Sequence, residues 1–212
     1  MKRFVPRLAL TAALLAGVLT GAPSLAFAGN LPAAIDGSVA VMHTNDIHGS
    51  YKYSYNESKG TGTVGFDGLA VLYSAQGNAP NLLLDAGDTF HGQSFATMSE
   101  GKSIAELMDT FYADGYDATT PGNHDWSYGA DKLRTMTGSS TTSTPFAMLC
   151  ANATSANGIW KSSYIKTLNR TWEDSESHST FAYQIKVGVV GAMDESLGSS
   201  LRADLVAGTS FS

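Results

Sequence analysis

Three apolar runs along the chain each end in side chains that can carry charge or ligate a cation. Residues 39–42, Val-Ala-Val-Met, lead through His43-Thr-Asn to Asp46 and His48. Leu82-Leu83-Leu84 runs into Asp85 and Asp88, and a weaker stretch at 117–119 runs into Asn123, His124 and Asp125. Short apolar runs bounded by polar residues and glycine predict buried strands. In extended backbone, residues two apart face the same side, so Asp46 and His48 are expected to reach one cation together as the chain leaves its strand. The strand ends of an open α/β sheet share one edge, so all three motifs can converge there.

Between these runs the pattern changes. Leu69, Val71, Leu72 and Tyr73 predict a helix over 66–76 packed on the sheet and closed by Gly77. Ser103-Ile-Ala-Glu106 reads as a capping box, and Ile104, Leu107, Met108 and Phe111 follow at helical spacing, with an end expected near 114–115. A further helix is predicted at 130–136, and strands at 146–150 and 181–190. The segments 50–65 and 137–144 show no period and read as loops; the stretch holding Trp160, Tyr164, Ile165 and Leu168 fits neither period and stays unassigned. Strands alternating with helices predict an α/β fold.

Composition narrows the picture. A chain of 212 residues, 43% hydrophobic with 22 glycines, suits one globular domain and excludes a disordered chain. Lys2, Arg3 and Arg7 precede an apolar run over 8–19, and Ala26-Phe27-Ala28 offers a cleavage site, so residues 1–28 are expected to be a secretory signal and 29–212 the mature part. The run is shorter than the roughly 20 residues that span a bilayer, so no transmembrane span is expected after cleavage. Removing 1–28 takes the formal net charge from −6 to −9. Such a surface excludes nucleic-acid binding through an overall basic field, while bound cations would still admit a phosphorylated small molecule. The single cysteine, Cys150, lies in an apolar run and reads as core filler.

Taken in order, His-Thr-Asn-Asp46-Ile-His48-Gly, Gly87-Asp88-Thr-Phe-His-Gly92 and Gly122-Asn-His-Asp125 resemble the first three signatures of the calcineurin-like metallophosphoesterases. The closest resemblance is to the branch holding secreted 5′-nucleotidases and 2′,3′-cyclic-nucleotide phosphodiesterases, and it covers about 39–191. The resemblance implies an α-β-β-α sandwich and two divalent metal ions, with nucleotides or similar small phosphate esters hydrolysed by attack of a metal-bound hydroxide. It implies that Asp46 and His48 hold the first metal, Asp88 bridges, Asn123 binds the second, and His124 protonates the leaving oxygen or stabilises phosphoryl charge. The mixed carboxylate, imidazole and amide set suits Zn²⁺, Mn²⁺ or iron better than Ca²⁺. Asp85, Asp125 and His91 read as loop supports, and His178 as solvated.

Two departures stand out. Secreted 5′-nucleotidases usually carry an aspartate three residues after the histidine that acts on the leaving group, where this chain has Ser127. The resemblance then leaves Asp125 to compensate, or His124 to act mainly as a hydrogen-bond donor. The family also completes its metal sites with later histidines, including a Gly-His-x-His motif, whereas only His178 follows His124 here. The chain is therefore expected to be the N-terminal portion of the catalytic domain, incomplete at its C-terminus, weak in metal binding alone and secreted, periplasmic or at a cell surface. The alternatives are a 2′,3′-cyclic-nucleotide phosphodiesterase, or a non-catalytic extracellular binding module or degenerate fragment that keeps the fold.

Overall fold

Four short parallel strands in the order β1-β4-β5-β6 form the frame on which the motifs sit. In chain order the elements are β1 (Val41–Thr44), β2 (Ser54–Asn56), β3 (Thr61–Thr63), α1 (Phe66–Ala75), β4 (Leu82–Asp85), α2 (Ser94–Thr97), α3 (Lys102–Thr110) and β5 (Ala118–Thr119). A 3₁₀ turn (His124–Tyr128) follows, then α4 (Ala130–Met136), β6 (Ala147–Met148), β7 (Ala153–Ser155), β8 (Tyr164–Glu173), β9 (Thr180–Val189), α5 (Leu197–Ser200) and β10 (Thr209–Phe211). The computed structural model describes residues 38–75, 81–111, 115–136, 146–155, 158 and 160–212. The expected closure at Gly77 and the polar tract 137–144 lie outside them.

Right-handed crossovers between strands taken in sequence place the connecting helices on one face. That face holds the main core, in which Phe66 and Tyr73 from α1, Ile104 and Met108 from α3, and Leu133 and Met136 from α4 meet Leu83 and Met148. Helix α1 packs through Phe66, Leu69, Ala70 and Tyr73, a clean i, i+3, i+4, i+7 stripe, and leaves Val71 and Leu72 exposed, so two of the residues that predicted it do not face the sheet. On the far face Leu84, Ala118, Ala147 and Leu149 meet Tyr164 and Val189, where the β8–β9 hairpin begins. β1 forms one border of the sheet, with Val41 half exposed. The mixed α/β fold with a parallel sheet is thus as expected.

Several local expectations are corrected. Residues 50–65 contain an antiparallel β2–β3 pairing, every residue of which is exposed, so neither face had an apolar pattern to show. The unassigned stretch enters β8, a ten-residue strand paired along its length with β9. The capping box does not form: α3 starts at Lys102 behind Gly101, whose left-handed backbone (φ +86°) turns the chain. Ser103 lies inside the helix, and its N–H is taken by the Ser99 hydroxyl at 3.0 Å. Ser99→Ala should therefore cost about 1 kcal/mol in a urea titration and Ser103→Ala less than about 0.5 kcal/mol, the reverse of what a capping box would give.

Candidate metal centre

The parallel register sets Thr44, Asp85 and Thr119 side by side at the ends of three adjacent strands. Asp85 ties them together. One of its oxygens accepts from the hydroxyls of Thr44 (2.8 Å) and Thr89 (2.9 Å), the other from Thr119 (2.7 Å) and the Gly87 N–H (3.2 Å). Burial pushes this carboxyl above the usual carboxylate range, against the four donors that favour its charged form. Immediately beyond, the loops leaving β1 and β4 run together through backbone bonds: Asp46 N–H to Gly87 O, His48 N–H to Asp88 O, and Gly49 N–H to Thr89 O.

Asp46 (φ +54°), His48 (φ +48°) and Asp88 (φ +53°) all have left-handed backbone. Non-glycine residues held there cost of order 1 kcal/mol each, and such strain clusters at functional sites. The three side chains meet: each offers a ligand atom within 4.8 Å of the others, and this is a group that could hold a metal ion. Asp46 and His48 therefore converge, but through two left-handed turns rather than through the extended backbone that the spacing suggests. The exposed Asp46 carboxylate and the half-buried His48 imidazole and Asp88 carboxylate, gathered at this distance, repel unless a cation or protons lie among them, so the donor set fits a divalent ion.

The third motif arrives through Gly122, where an added Cβ would lie 2.2 Å from Asp88 Oδ1. Asp88 Oδ1 also accepts the His124 backbone N–H at 2.9 Å. Asn123, next to Gly122, is exposed and its side chain caps none of the N–H groups of the 3₁₀ turn. Asp125 points the other way, into the protein, and is fully buried. Its carboxylate accepts four backbone N–H groups, those of Asp88 (2.8 Å), Thr89 (2.9 Å), Phe90 (2.7 Å) and Gly122 (2.9 Å). Burial pushes this carboxyl up to about 7, opposed by the Phe90 and Gly122 N–H groups.

With both oxygens so occupied, Asp125 does not compensate for the missing aspartate. Nor does Ser127 orient the ring, for its hydroxyl donates to the His124 backbone carbonyl at 2.6 Å. His91, read from sequence only as a loop support, instead packs against His124, with ring centroids 5.9 Å apart and planes within 10°. Burial, then His124 and His48, hold the His91 imidazole below its usual value, against Asp88. The sequence carries one signal for this contact, the His three residues after Asp88. His178 is exposed, near Glu173, and Cys150 is a buried free thiol, both as expected.

Known proteins resemble this chain over part of its length. Rat (Rattus norvegicus) 5′-nucleotidase is 32% identical over 109 residues, covering 48% of this chain and 18% of that protein. A venom 5′-nucleotidase of Gloydius brevicauda is 30% identical over 97 residues, covering 43% and 16%. The chain thus spans less than a fifth of the length of these curated relatives. The crystal structure of a Staphylococcus aureus protein provisionally assigned as a 5′-nucleotidase, solved with alpha-ketoglutarate, matches the fold with a TM-score of 0.55 at 19% identity, covering 82% of this chain and 32% of that one. The family model for calcineurin-like phosphoesterases matches residues 39–187, well over half the chain, and the protein belongs to that family.

Proposed function

We propose that the protein is a divalent-metal-dependent phosphoric ester hydrolase acting on nucleotides in the manner of a 5′-nucleotidase. The observation that carries this reading is the convergence of Asp46, His48 and Asp88, with ligand atoms within 4.8 Å of one another at the joined ends of β1 and β4. Asp46 and His48 would hold one cation, Asp88 would be shared, and Asn123 would contribute to a second. Bound cations would supply charge for the phosphoryl oxygens and lower the pKa of an attacking water.

The remaining chemistry belongs to the chain. His124 lies beside Asp88, exposed, where its ring can present an N–H to the leaving oxygen. Asp85 and Asp125 do not touch substrate; they fix the three loops, so the ligands keep their spacing without rearrangement. The relatives named as 5′-nucleotidases support a nucleotide substrate. The basic and apolar start of the sequence supports a cleaved signal over 1–28 and an extracytoplasmic location. Among the described residues no helix is long and apolar enough to cross a membrane.

Titration of the metal-free chain with Mn²⁺ or Zn²⁺ by calorimetry, paired with AMP hydrolysis with and without chelator, tests the reading. Saturable metal binding, weakened at least about 10-fold by Asp88→Ala, is expected, with turnover lost on chelation. Absence of binding, or binding indifferent to Asp88→Ala, would sink it.

A further inference from the structure

The 3₁₀ turn that begins with His124 ends with Tyr128, and His91 touches both. Its ring lies 5.9 Å from that of His124, nearly parallel, and 5.6 Å from that of Tyr128, tilted by 51°. On another side His124 meets the edge of His48, at 5.3 Å and 70°. Among the described residues no side-chain or backbone group hydrogen-bonds the His124 ring. The two polar residues next in line are occupied elsewhere, Asp125 on four backbone N–H groups and Ser127 on the His124 carbonyl. His91 is not a member of the Asp46, His48, Asp88 group.

We propose that His91 is the positioning residue for His124, fixing the imidazole by ring stacking where related enzymes would use a charged hydrogen-bond acceptor. This rests on the reading of His124 as the group that serves the leaving oxygen. A flat ring in offset-parallel contact restricts rotation about the His124 side-chain bonds and contributes roughly 0.5–1.5 kcal/mol beyond area burial. That is enough to favour one rotamer about 2- to 10-fold over its rivals. Tyr128 backs His91 from within the same turn, so the support moves with the residue it supports. His91 also follows Asp88 by three residues on the loop that Asp125 anchors at Asp88, Thr89 and Phe90. The metal group and the orientation of His124 thus share one clamp. An imidazole stack supplies no charge, so it orients the ring without stabilising its protonated form. This distinguishes it from an aspartate at the Ser127 position.

The test compares His91→Ala, which removes the ring, with His91→Phe, which keeps a flat ring and removes both nitrogens. Two readouts are taken on the whole chain. Ring order of His124 is measured by ¹³C relaxation of its imidazole, and kcat and KM for a phosphate ester are measured with Mn²⁺. In His91→Ala the His124 ring order falls and kcat drops about 3- to 10-fold at unchanged KM; in His91→Phe both return most of the way to wild type. Unchanged ring order in His91→Ala overturns the proposal, and so does a His91→Phe variant as impaired as His91→Ala, which would mean that a His91 nitrogen acts directly. If the wild-type chain hydrolyses no ester, the hydrolase reading fails, while ring order still decides the stacking role.

Discussion

Asp125→Ala lowers the unfolding free energy by about 4 kcal/mol and the thermal midpoint by roughly 10 °C. The carboxylate is fully buried and accepts N–H groups from two separate loops, three from residues 88–90 and one from Gly122. Deletion strands the Thr89 and Phe90 donors in the interior and leaves those of Asp88 and Gly122 to whatever water can enter. Each buried unpaired N–H costs about 1–3 kcal/mol, so the sum exceeds what an ordinary surface change produces by several fold. Asp125→Asn should recover only part of the loss, because its amide presents donors toward donors. Differential scanning calorimetry of the three proteins reads the order directly. A midpoint within about 2 °C of wild type for Asp125→Ala would show that the loops at 88–90 and 122 are held by something else.

The same carboxylate shows what a single sequence does and does not disclose. Its position in Gly-Asn-His-Asp marks it as close to the site, and the steric sense of Gly122 beside it is also legible. What it does there is not legible, since a ligand, a ring-orienting acceptor and a buried anchor share one residue type. Only the direction of the side chain decides, and Asp125 faces inward while His124 is exposed. The strand ends were readable because the apolar runs at 39–42 and 82–84 lead into carboxylates, and α3 because Ile104, Leu107, Met108 and Phe111 recur at helical spacing. The β8 strand was not, since its inward positions alternate Tyr164, Lys166, Leu168, Arg170 and Trp172. Two cations in a half-buried row break the hydrophobic pattern. Lys166 can sit there because its ammonium reaches Asp117 Oδ1, which Tyr164 also contacts at 3.0 Å. The hairpin at β2–β3 was hidden for the opposite reason, as a strand exposed on both faces has no apolar face to alternate.

The left-handed backbone of Asp46, His48 and Asp88 was likewise beyond sequence reasoning. Glycine advertises positive φ strongly; aspartate and histidine adopt it more often than other side chains but still rarely, and here they are kept there by the bonds that join the two loops. The glycines that can be read are those that make room. Gly87, at φ +100°, has no space for a Cβ between the Gly122 N and Thr120 O, and Gly92, at φ +132°, lies against the His48 carbonyl.

Gly122→Ala isolates this packing from the chemistry of the proposed ligands themselves. The new methyl would stand 2.2 Å from Asp88 Oδ1 and 2.8 Å from the Asp88 backbone nitrogen. Neither can yield cheaply, because the nitrogen is bonded to Asp125 and the oxygen accepts the His124 N–H. The carboxylate must rotate or the turn at 122–124 must lift, and either separates the third motif from the first two. A stability loss of about 1–3 kcal/mol is expected, as for other overpacked sites, with Mn²⁺ affinity reduced on the order of 100-fold. Gly188→Ala serves as the control: it lies in β9 with nothing within 4 Å of an added Cβ, and it should change stability by less than about 0.5 kcal/mol and metal affinity not at all. Stability and affinity measured on both variants separate local fit from general tolerance. Should Gly122→Ala bind Mn²⁺ as wild type does while losing stability, Asp88 would be no ligand, and its contact with the turn would be structural alone.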